Sequence, residues 1–509
     1  MNLLYLHILY CTCTCTLLHR YRLTFTESSS TPRTEPALLT SLTSLLVYLF
    51  APYGHFKKLG IPGPTPLPFI GTFWGNLQGV HTFDIQCHQK YGRMWGLYDG
   101  RQPVLAVMDT AAIKTILVKE CYSAFTNRRN VGLNGPLRDA LTVVEDEEWK
   151  RIRSILSPSF TSGRLKEMYT IMLHHSNNLI KSLRKKVAVD EKIDVKEVFG
   201  PYSMDIVAST AFSVDIDSIN HPSDAIVTNI KKLVKFNFTN PLIVLVVFFP
   251  FLVPIFDKLN LSFLASDQLT YFYNFLKKIK SDRTKNEHKV INRYDGFYIT
   301  YILSQALVFI FAGYDTTSST LGFLAYNLAT HPDVQKTLQE EIDKTFPQKR
   351  HPSYEALMQM EYLDMVLNES MRMFPVGSRI ERMTKATVEV NGVSIPKGTI
   401  VMVPVYPLHN DPTLWSEPEL FKPERFSKEN KDNIDPYAFL PFGAGPRNCI
   451  GMRFAVLTMK LAIVEVLQNF TFVACEETEI PLTLGNNIFA APKNPIKLKL
   501  LPREAAQSS

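Results

Sequence analysis

The run PFGAGPRNCIGMRF at residues 441–454 constrains this chain more than any other stretch. It sets Phe442, Gly445, Arg447, Cys449 and Gly451 at fixed intervals ahead of an apolar segment, 452–467, whose pattern predicts a helix. Glycines on both sides of the cysteine let the backbone come close to something flat. A thiolate just before a helix N-terminus is stabilised by main-chain N–H groups and by the helix dipole. Those are the requirements of a metal-ligating sulfur. The plainer alternative, a buried cysteine in a Gly/Pro turn, does not account for the compound spacing. The seven cysteines, Cys11, Cys13, Cys15, Cys87, Cys121, Cys449 and Cys475, are odd in number and contain no CxxC pair. They match neither a disulfide framework nor a structural zinc site, and the body reads as reduced and cytosol-facing.

Three further constellations carry chemistry. Glu369 and Arg372 stand at i, i+3, and FKPERF supplies a second guanidinium, Arg425. Alone, such a pair is usually solvated helix surface contributing about half a kcal/mol or less. In VFIFAGYDTTSST, residues 308–320, Ala312, Gly313 and Thr316 share one helical face. Gly313 loosens the helix there, and the Thr316 hydroxyl can reach the Ala312 carbonyl. Trp149 and Arg153 stand at i, i+4, so an indole N–H and a guanidinium can converge on one anion.

The pattern Phe-x-x-Gly-x-Arg-x-Cys-x-Gly resembles the haem-binding loop of the cytochromes P450, in which a Cys thiolate holds the iron. The resemblance runs from about Phe56 to Pro502. It is strongest to the vertebrate microsomal family-3 members, which oxidise steroids and drugs, through KKLGIPGPTPLPF, ECYSAFTNRR, EDEEWKRIRS, QMEYLDMVLNES and KDNIDPY. It implies a mainly-α cytochrome P450 fold with small β-sheets and haem b (iron protoporphyrin IX) as cofactor. By the same resemblance Cys449 is the axial ligand, within a loop that includes Phe442. Arg128, Trp149, Arg153, Arg382 and Arg447 face the two propionates. Glu369, Arg372 and Arg425 form a structural triad, and Asp315 and Thr316, beside Ala312, relay protons for oxygen activation. Thr142, Phe236, Phe238, Phe311, Ala312, Val376, Gly377 and Phe489 are the implied substrate-pocket residues. The implied reaction is monooxygenation of hydrophobic substrates. Electrons come from NADPH through the flavoprotein NADPH–cytochrome P450 reductase, with cytochrome b5 as a further partner. Lys150, Arg151 and Arg453 are candidates for meeting the reductase's acidic surface.

Organisation along the chain agrees with a membrane enzyme. An uncharged run at 37–56 is about long enough for a bilayer, which needs roughly 20 apolar residues. Lys57 and Lys58 follow it, and the positive-inside tendency puts everything after them in the cytosol. The expected division is an atypical N-terminal segment 1–36, a membrane anchor 37–56 and a catalytic domain 57–509, at the endoplasmic reticulum membrane. Pro62, Pro64, Pro66 and Pro68 make a stiff connector between anchor and body. The formal net charge of +7 suits a membrane surface or an acidic partner and is too weak to argue for nucleic acid. Beyond the connector, a helix is expected at 333–346, a strand at 104–108 and a hairpin at 387–395 turning at Asn391-Gly392.

One stretch departs from the family pattern. Residues 283–303 lack about one turn-loop-helix unit before the oxygen-activating helix, and Gly296 there predicts that its first turns are not formed. Two rivals follow. One is a non-catalytic membrane-bound isoform with impaired haem retention. The other, a haem-thiolate isomerase or dehydratase that needs no external electrons, is disfavoured by Asp315 and Thr316.

Overall fold

The computed structural model describes residues 51–503 apart from short stretches, chiefly 235–241, 263–265 and 288–294, and only scattered residues before 51. Contacts divide the chain into two units, Met1–Ala51 and Pro52–Ser509. Thirteen of the twenty residues of the 37–56 run expected as an anchor are described, and the last five, Pro52–Phe56, fall in the second unit, where Phe56 is buried against Tyr98, so the body begins before the expected residue 57. Among the described residues no helix is long and apolar enough to cross a membrane.

The second unit is mainly helical. In chain order its longer elements are α1 (Val80–Tyr91), β1 (Met94–Asp99), β2 (Gln102–Val107), α2 (Asp146–Leu156), α3 (Ser162–Ala188), β3 (Ile193–Asp194), α4 (Val195–Phe212), α5 (Ala225–Val234), α6 (Ser266–Glu287) and α7 (Asp295–Thr330). There follow α8 (Pro332–Thr345), α9 (Glu361–Met373), β4 (Arg379–Met383), β5 (Val388–Val390), β6 (Val393–Ile395), β7 (Ile400–Pro404), α10 (Met452–Asn469), β8 (Phe470–Ala474) and β9 (Lys497–Pro502). The strands form three small sheets, ordered β1-β2-β7-β4, β3-β9-β8 and β5-β6.

Local chemistry explains several boundaries. Pro332 opens α8, where its missing N–H is harmless and its fixed φ suits a helix. The β5–β6 turn has Asn391 at φ +49° and Gly392 at φ +77°, the paired positive values of a tight hairpin turn, with Val390 facing Val393. The expected weakness at Gly296 does not appear: α7 runs 36 residues from Asp295 without a break. From Leu303 onward its apolar side chains are buried on several faces, and packing of that kind, more than propensity, holds a helix.

Helix α7 is central. Tyr202 of α4, Phe323 and Leu324 of α7, Leu367 of α9 and Ile463 of α10 share the main core, and the Tyr202 hydroxyl donates to Thr458 O at 3.0 Å, joining α4 to α10. The seam between α4 and α7 is close at Gly313. Ser203 Oγ donates to Gly313 O at 2.6 Å, and a Cβ on Gly313 would lie 2.4 Å from Val207 Cγ2. A second core covers the four-stranded sheet, with Trp95, Leu105, Val401 and Met402 among its members. The site is built where these two cores meet.

Candidate functional site

Cys449 lies in the loop that enters α10, two residues before the Gly451 N-cap. Its N–H donates to Phe442 O at 2.9 Å, and Asn448 N–H donates to Gly445 O at 3.1 Å, which closes the loop on itself. Gly445 has φ +72°, and a Cβ there would sit 1.9 Å from Leu117 O, so no side chain fits. The Cys449 side chain is accessible, yet neighbours crowd it enough that burial pushes its thiol up. The Gly451 main-chain N–H and the guanidinium groups of Arg128 and Arg153 pull the other way. Phe442 is half-buried against the main core.

Around the loop is a group of guanidiniums. Met383 N–H donates to Asn127 O at 2.8 Å and Arg129 pairs with Glu381 at 3.0 Å, which together lay the 127–129 segment along β4 and set Arg128 near Arg382. Arg447 stacks on the Trp149 ring at 4.7 Å and donates to Val144 O. Among the described residues, none of Arg128, Arg382 and Arg447 ion-pairs with a carboxylate. Burial, and secondarily the repulsion of Arg128, pushes both Arg382 and Arg447 down to about 9. Arg382 Nε and Arg447 Nη1 are buried without any hydrogen-bond partner. Arg153 is committed elsewhere, donating to Asn448 O at 2.8 Å and Asn448 Oδ1 at 2.9 Å, so it braces the cysteine loop.

The Glu369, Arg372 and Arg425 set is assembled and dry. Arg372 makes two hydrogen bonds of 2.8 Å to Glu369, and both side chains are 0% exposed. Arg425 Nε reaches Glu369 Oε1 at 3.2 Å. Arg372 also donates to His409 O and Pro418 O, so the network ties α9 to the chain leading into the cysteine loop.

On α7, Thr316 Oγ1 donates to Ala312 O at 2.5 Å, as expected from its i−4 spacing. Asp315 is held by an ion pair from Lys196 Nζ at 2.6 Å. Phe309 contacts Phe160 at 5.8 Å between ring centres, and Phe160 in turn lies against Gly451, which links α7 to the cysteine loop. Four of the pocket candidates converge. Gly377 bridges to Phe489, Ala490 N–H donates to Val376 O at 2.9 Å, and Phe311 meets Phe489 at 6.3 Å. Thr142 is exposed beside Leu141. Phe236 and Phe238 lie outside the described residues.

A sequence model of the family described as "Cytochrome P450" matches residues 61–500. The chain belongs to the cytochrome P450 family. It is 59% identical to cytochrome P450 3A40 of Oryzias latipes over 490 residues, covering 92% of this chain and 97% of that one. It is 58% identical to cytochrome P450 3A56 of Fundulus heteroclitus, covering 93% and 99% of the two chains. To cytochrome P450 3A29 of Sus scrofa it is 52% identical, covering 93% and 98%. As a cytochrome P450 of the 3A group it is a haem-dependent monooxygenase oxidising hydrophobic substrates of the steroid and xenobiotic class, with electrons drawn from a reductase.

The residues present fit haem. Among the described residues no cluster of three or more His, Cys, Asp or Glu side chains is placed to hold a metal ion. An accessible lone sulfur suits an iron whose other ligands come from a macrocycle. The buried guanidinium nitrogens of Arg382 and Arg447, lacking partners, are what two propionates would satisfy.

Four residues that matter to this P450 site went unnoticed in the sequence. They are Lys196 on Asp315, Asn448 on Arg153, Ser203 on Gly313, and Gln305, whose amide lies in an apolar helix and bonds to Leu141 and Asp139. Only Gln305 carried a signal, since a polar side chain in such a run must find partners.

Proposed function

We propose that Cys449 ligates the haem iron, that Arg128, Arg382 and Arg447 with Trp149 hold the propionates, and that Arg153 acts by bracing Asn448. The observation that carries this is an accessible sulfur beside buried guanidinium nitrogens with no partner. When bound, haem supplies the oxidising power by which dioxygen, two electrons, two protons and R–H give R–OH and water. The protein's share is placement and protons. Thr316, with its hydroxyl donating to Ala312 O in an unbroken α7 in place of the opening expected at Gly313, passes protons inward, and Asp315, once it leaves Lys196 and takes a proton from solvent, supplies them. Phe311, Val376, Gly377 and Phe489 line an apolar wall that orients a large hydrophobic substrate and keeps water out.

The same reading puts the catalytic domain, which includes the buried Phe56, on the cytosolic face of the endoplasmic reticulum membrane, anchored through the part of the 37–56 run that precedes Pro52. Exposed apolar side chains at Leu67, Trp74 and Leu77, and again at Phe251, Ile255 and Leu259, support contact with lipid. NADPH–cytochrome P450 reductase is the electron partner, with cytochrome b5 as a second. Arg453 is exposed, whereas Lys150 is paired with Glu147 and Arg151 with Glu148 and Tyr301, so these two offer less free charge than a bare basic patch. The continuous α7 speaks for the catalytic reading over the non-catalytic isoform. A reduced-plus-CO difference spectrum of the purified chain tests it. A band near about 450 nm is expected from a thiolate-bound iron, and its absence from haem-loaded protein would refute the Cys449 assignment.

A further inference from the structure

Gln305 sits two residues beyond the altered 283–303 stretch and is 7% exposed. A buried amide needs both an acceptor and a donor partner. It finds them outside its own helix, where Oε1 accepts the Leu141 N–H at 2.9 Å and Nε2 donates to Asp139 O at 2.5 Å. Next to it, Ser304 donates to Pro136 O. One turn earlier, Tyr301 pairs through its hydroxyl with Arg151 Nη2 at 3.0 Å, and its ring lies 5.2 Å from that guanidinium. The start of α7 is thus fastened to the 136–141 segment and to α2.

That segment continues in a tight turn, with Val143 and Val144 N–H both donating to Ala140 O, and the Val144 carbonyl accepts Arg447 Nη2. Leu141 and Val144 meet Trp149, Tyr301 and Ile450 in one apolar cluster. The unpartnered Nη1 of Arg447 is therefore aimed by Val144 O and by the Trp149 ring.

We infer that Gln305 is a positioning residue for Arg447, fixing the 139–144 segment from α7 and so setting the direction in which Arg447 presents its unpartnered N–H to an anionic group of haem. This rests on the haem-holding role proposed for Arg447. The shortened lead-in to α7 is compatible with haem binding because these polar contacts, together with Tyr301, refasten the helix to the haem side of the domain.

The test measures release of haem from the full-length, haem-loaded protein in phospholipid nanodiscs into excess apomyoglobin. It compares wild type, Gln305→Met, Gln305→Glu, Arg447→Met and the Gln305→Met/Arg447→Met pair. Losing two buried hydrogen bonds should speed release by about five- to thirty-fold in Gln305→Met. Gln305→Glu, which keeps the acceptor for Leu141 but loses the donor to Asp139, should fall between. In the Arg447→Met background Gln305→Met should add almost nothing, because Gln305 acts through Arg447. Equal acceleration in both backgrounds would mark a merely stabilising residue and overturn the inference, as would unchanged release from Gln305→Met beside fast release from Arg447→Met. Unchanged release from Arg447→Met would instead refute the haem-holding role of Arg447, and the inference with it. If Gln305→Met does not accumulate as folded protein, Gln305→Glu carries the same comparison in both backgrounds.

Discussion

Removing the charge of Glu369 should cost far more than removing its outer partner, Arg425. Glu369 and Arg372 are both 0% exposed, and the pair shares two hydrogen bonds of 2.8 Å. Glu369 also accepts Lys422 N–H at 2.9 Å and Arg425 Nε at 3.2 Å. Replacing it by glutamine keeps the size but removes the charge, leaving Arg372 as a buried cation whose remaining partners are carbonyl oxygens. Breaking a buried pair from one side costs about 3–5 kcal/mol. Against a total of about 5–15 kcal/mol, that is enough to empty the folded state of a marginal chain. Arg425→Met leaves Glu369 neutralised by Arg372 and takes away the 3.2 Å bond to Glu369 together with two solvent-exposed bonds, to Ser416 Oγ and Glu417 O, whose acceptors water can satisfy, so it should cost about 1–2 kcal/mol. The assay is haem per protein and the midpoint of thermal loss of the haem absorbance band, for wild type and both variants prepared alike. Glu369→Gln should show low haem occupancy or a midpoint well below that of Arg425→Met. If the two variants differ by less than about 1 kcal/mol, the argument from burial is wrong.

Four further outcomes are expected. Cys449→Ser should lose the thiolate spectrum, because a neutral hydroxyl is a poor iron ligand, and an unchanged spectrum would move the ligand elsewhere. Thr316→Ala should lower product formed per NADPH consumed and raise peroxide, with substrate affinity nearly kept; unchanged coupling would make Thr316 a structural hydroxyl. His81 is 5% exposed, has no partner on either ring nitrogen, and burial with nearby Arg379 pushes it from 6.5 down to about 4. A histidine held neutral by burial costs nothing above about pH 6.5 and weighs against the fold as pH falls toward 4, because the unfolded chain takes up the proton first, so His81→Phe should be the more acid-stable protein, its advantage growing by about 2 kcal/mol between pH 7.5 and pH 5 in urea titrations. A constant difference across that range would refute it. Removing residues 1–51, which keeps Tyr53 and Phe56 packed on Tyr98, should release much of the protein into carbonate washes while haem binding persists, and equal retention of both forms would show that the anchor lies elsewhere.

What could be read in advance was local. The Cys449 loop, the Asn391-Gly392 turn and the Pro332 helix start each rest on chemistry within a few residues, where steric and capping rules act directly. The i, i+3 and i, i+4 pairs Glu369 with Arg372 and Thr316 with Ala312 were legible for the same reason. Their surroundings were not. Lys196 reaches Asp315 across 119 positions, and Arg153 reaches Asn448 across 295, so neither partner follows from spacing. The expectation at Gly296 failed because glycine's propensity is a small penalty that packing of a long apolar helix overrides. The nearness of Arg128 to Arg382 depended on the Asn127–Met383 bridge and the Arg129–Glu381 pair, juxtapositions that only the folded chain reveals.

The close seam at Gly313 limits how α7 can move. With Val207 Cγ2 within 2.4 Å of where a Cβ would stand, and Ser203 bonded to the Gly313 carbonyl, α7 has no room to slide or roll on α4 at the level of Thr316. That face of α7 is therefore a fixed reference surface, and the Thr316 hydroxyl, bonded to Ala312 O within the same helix, is held with it. Elsewhere α7 meets a less enclosed partner: Phe311 lies against Phe489, which is 41% exposed. The fold thus gives α7 one face that admits no added side chain, against α4, and one that meets a partly exposed aromatic, so a substitution at Gly313 should be felt far more than one at Phe489.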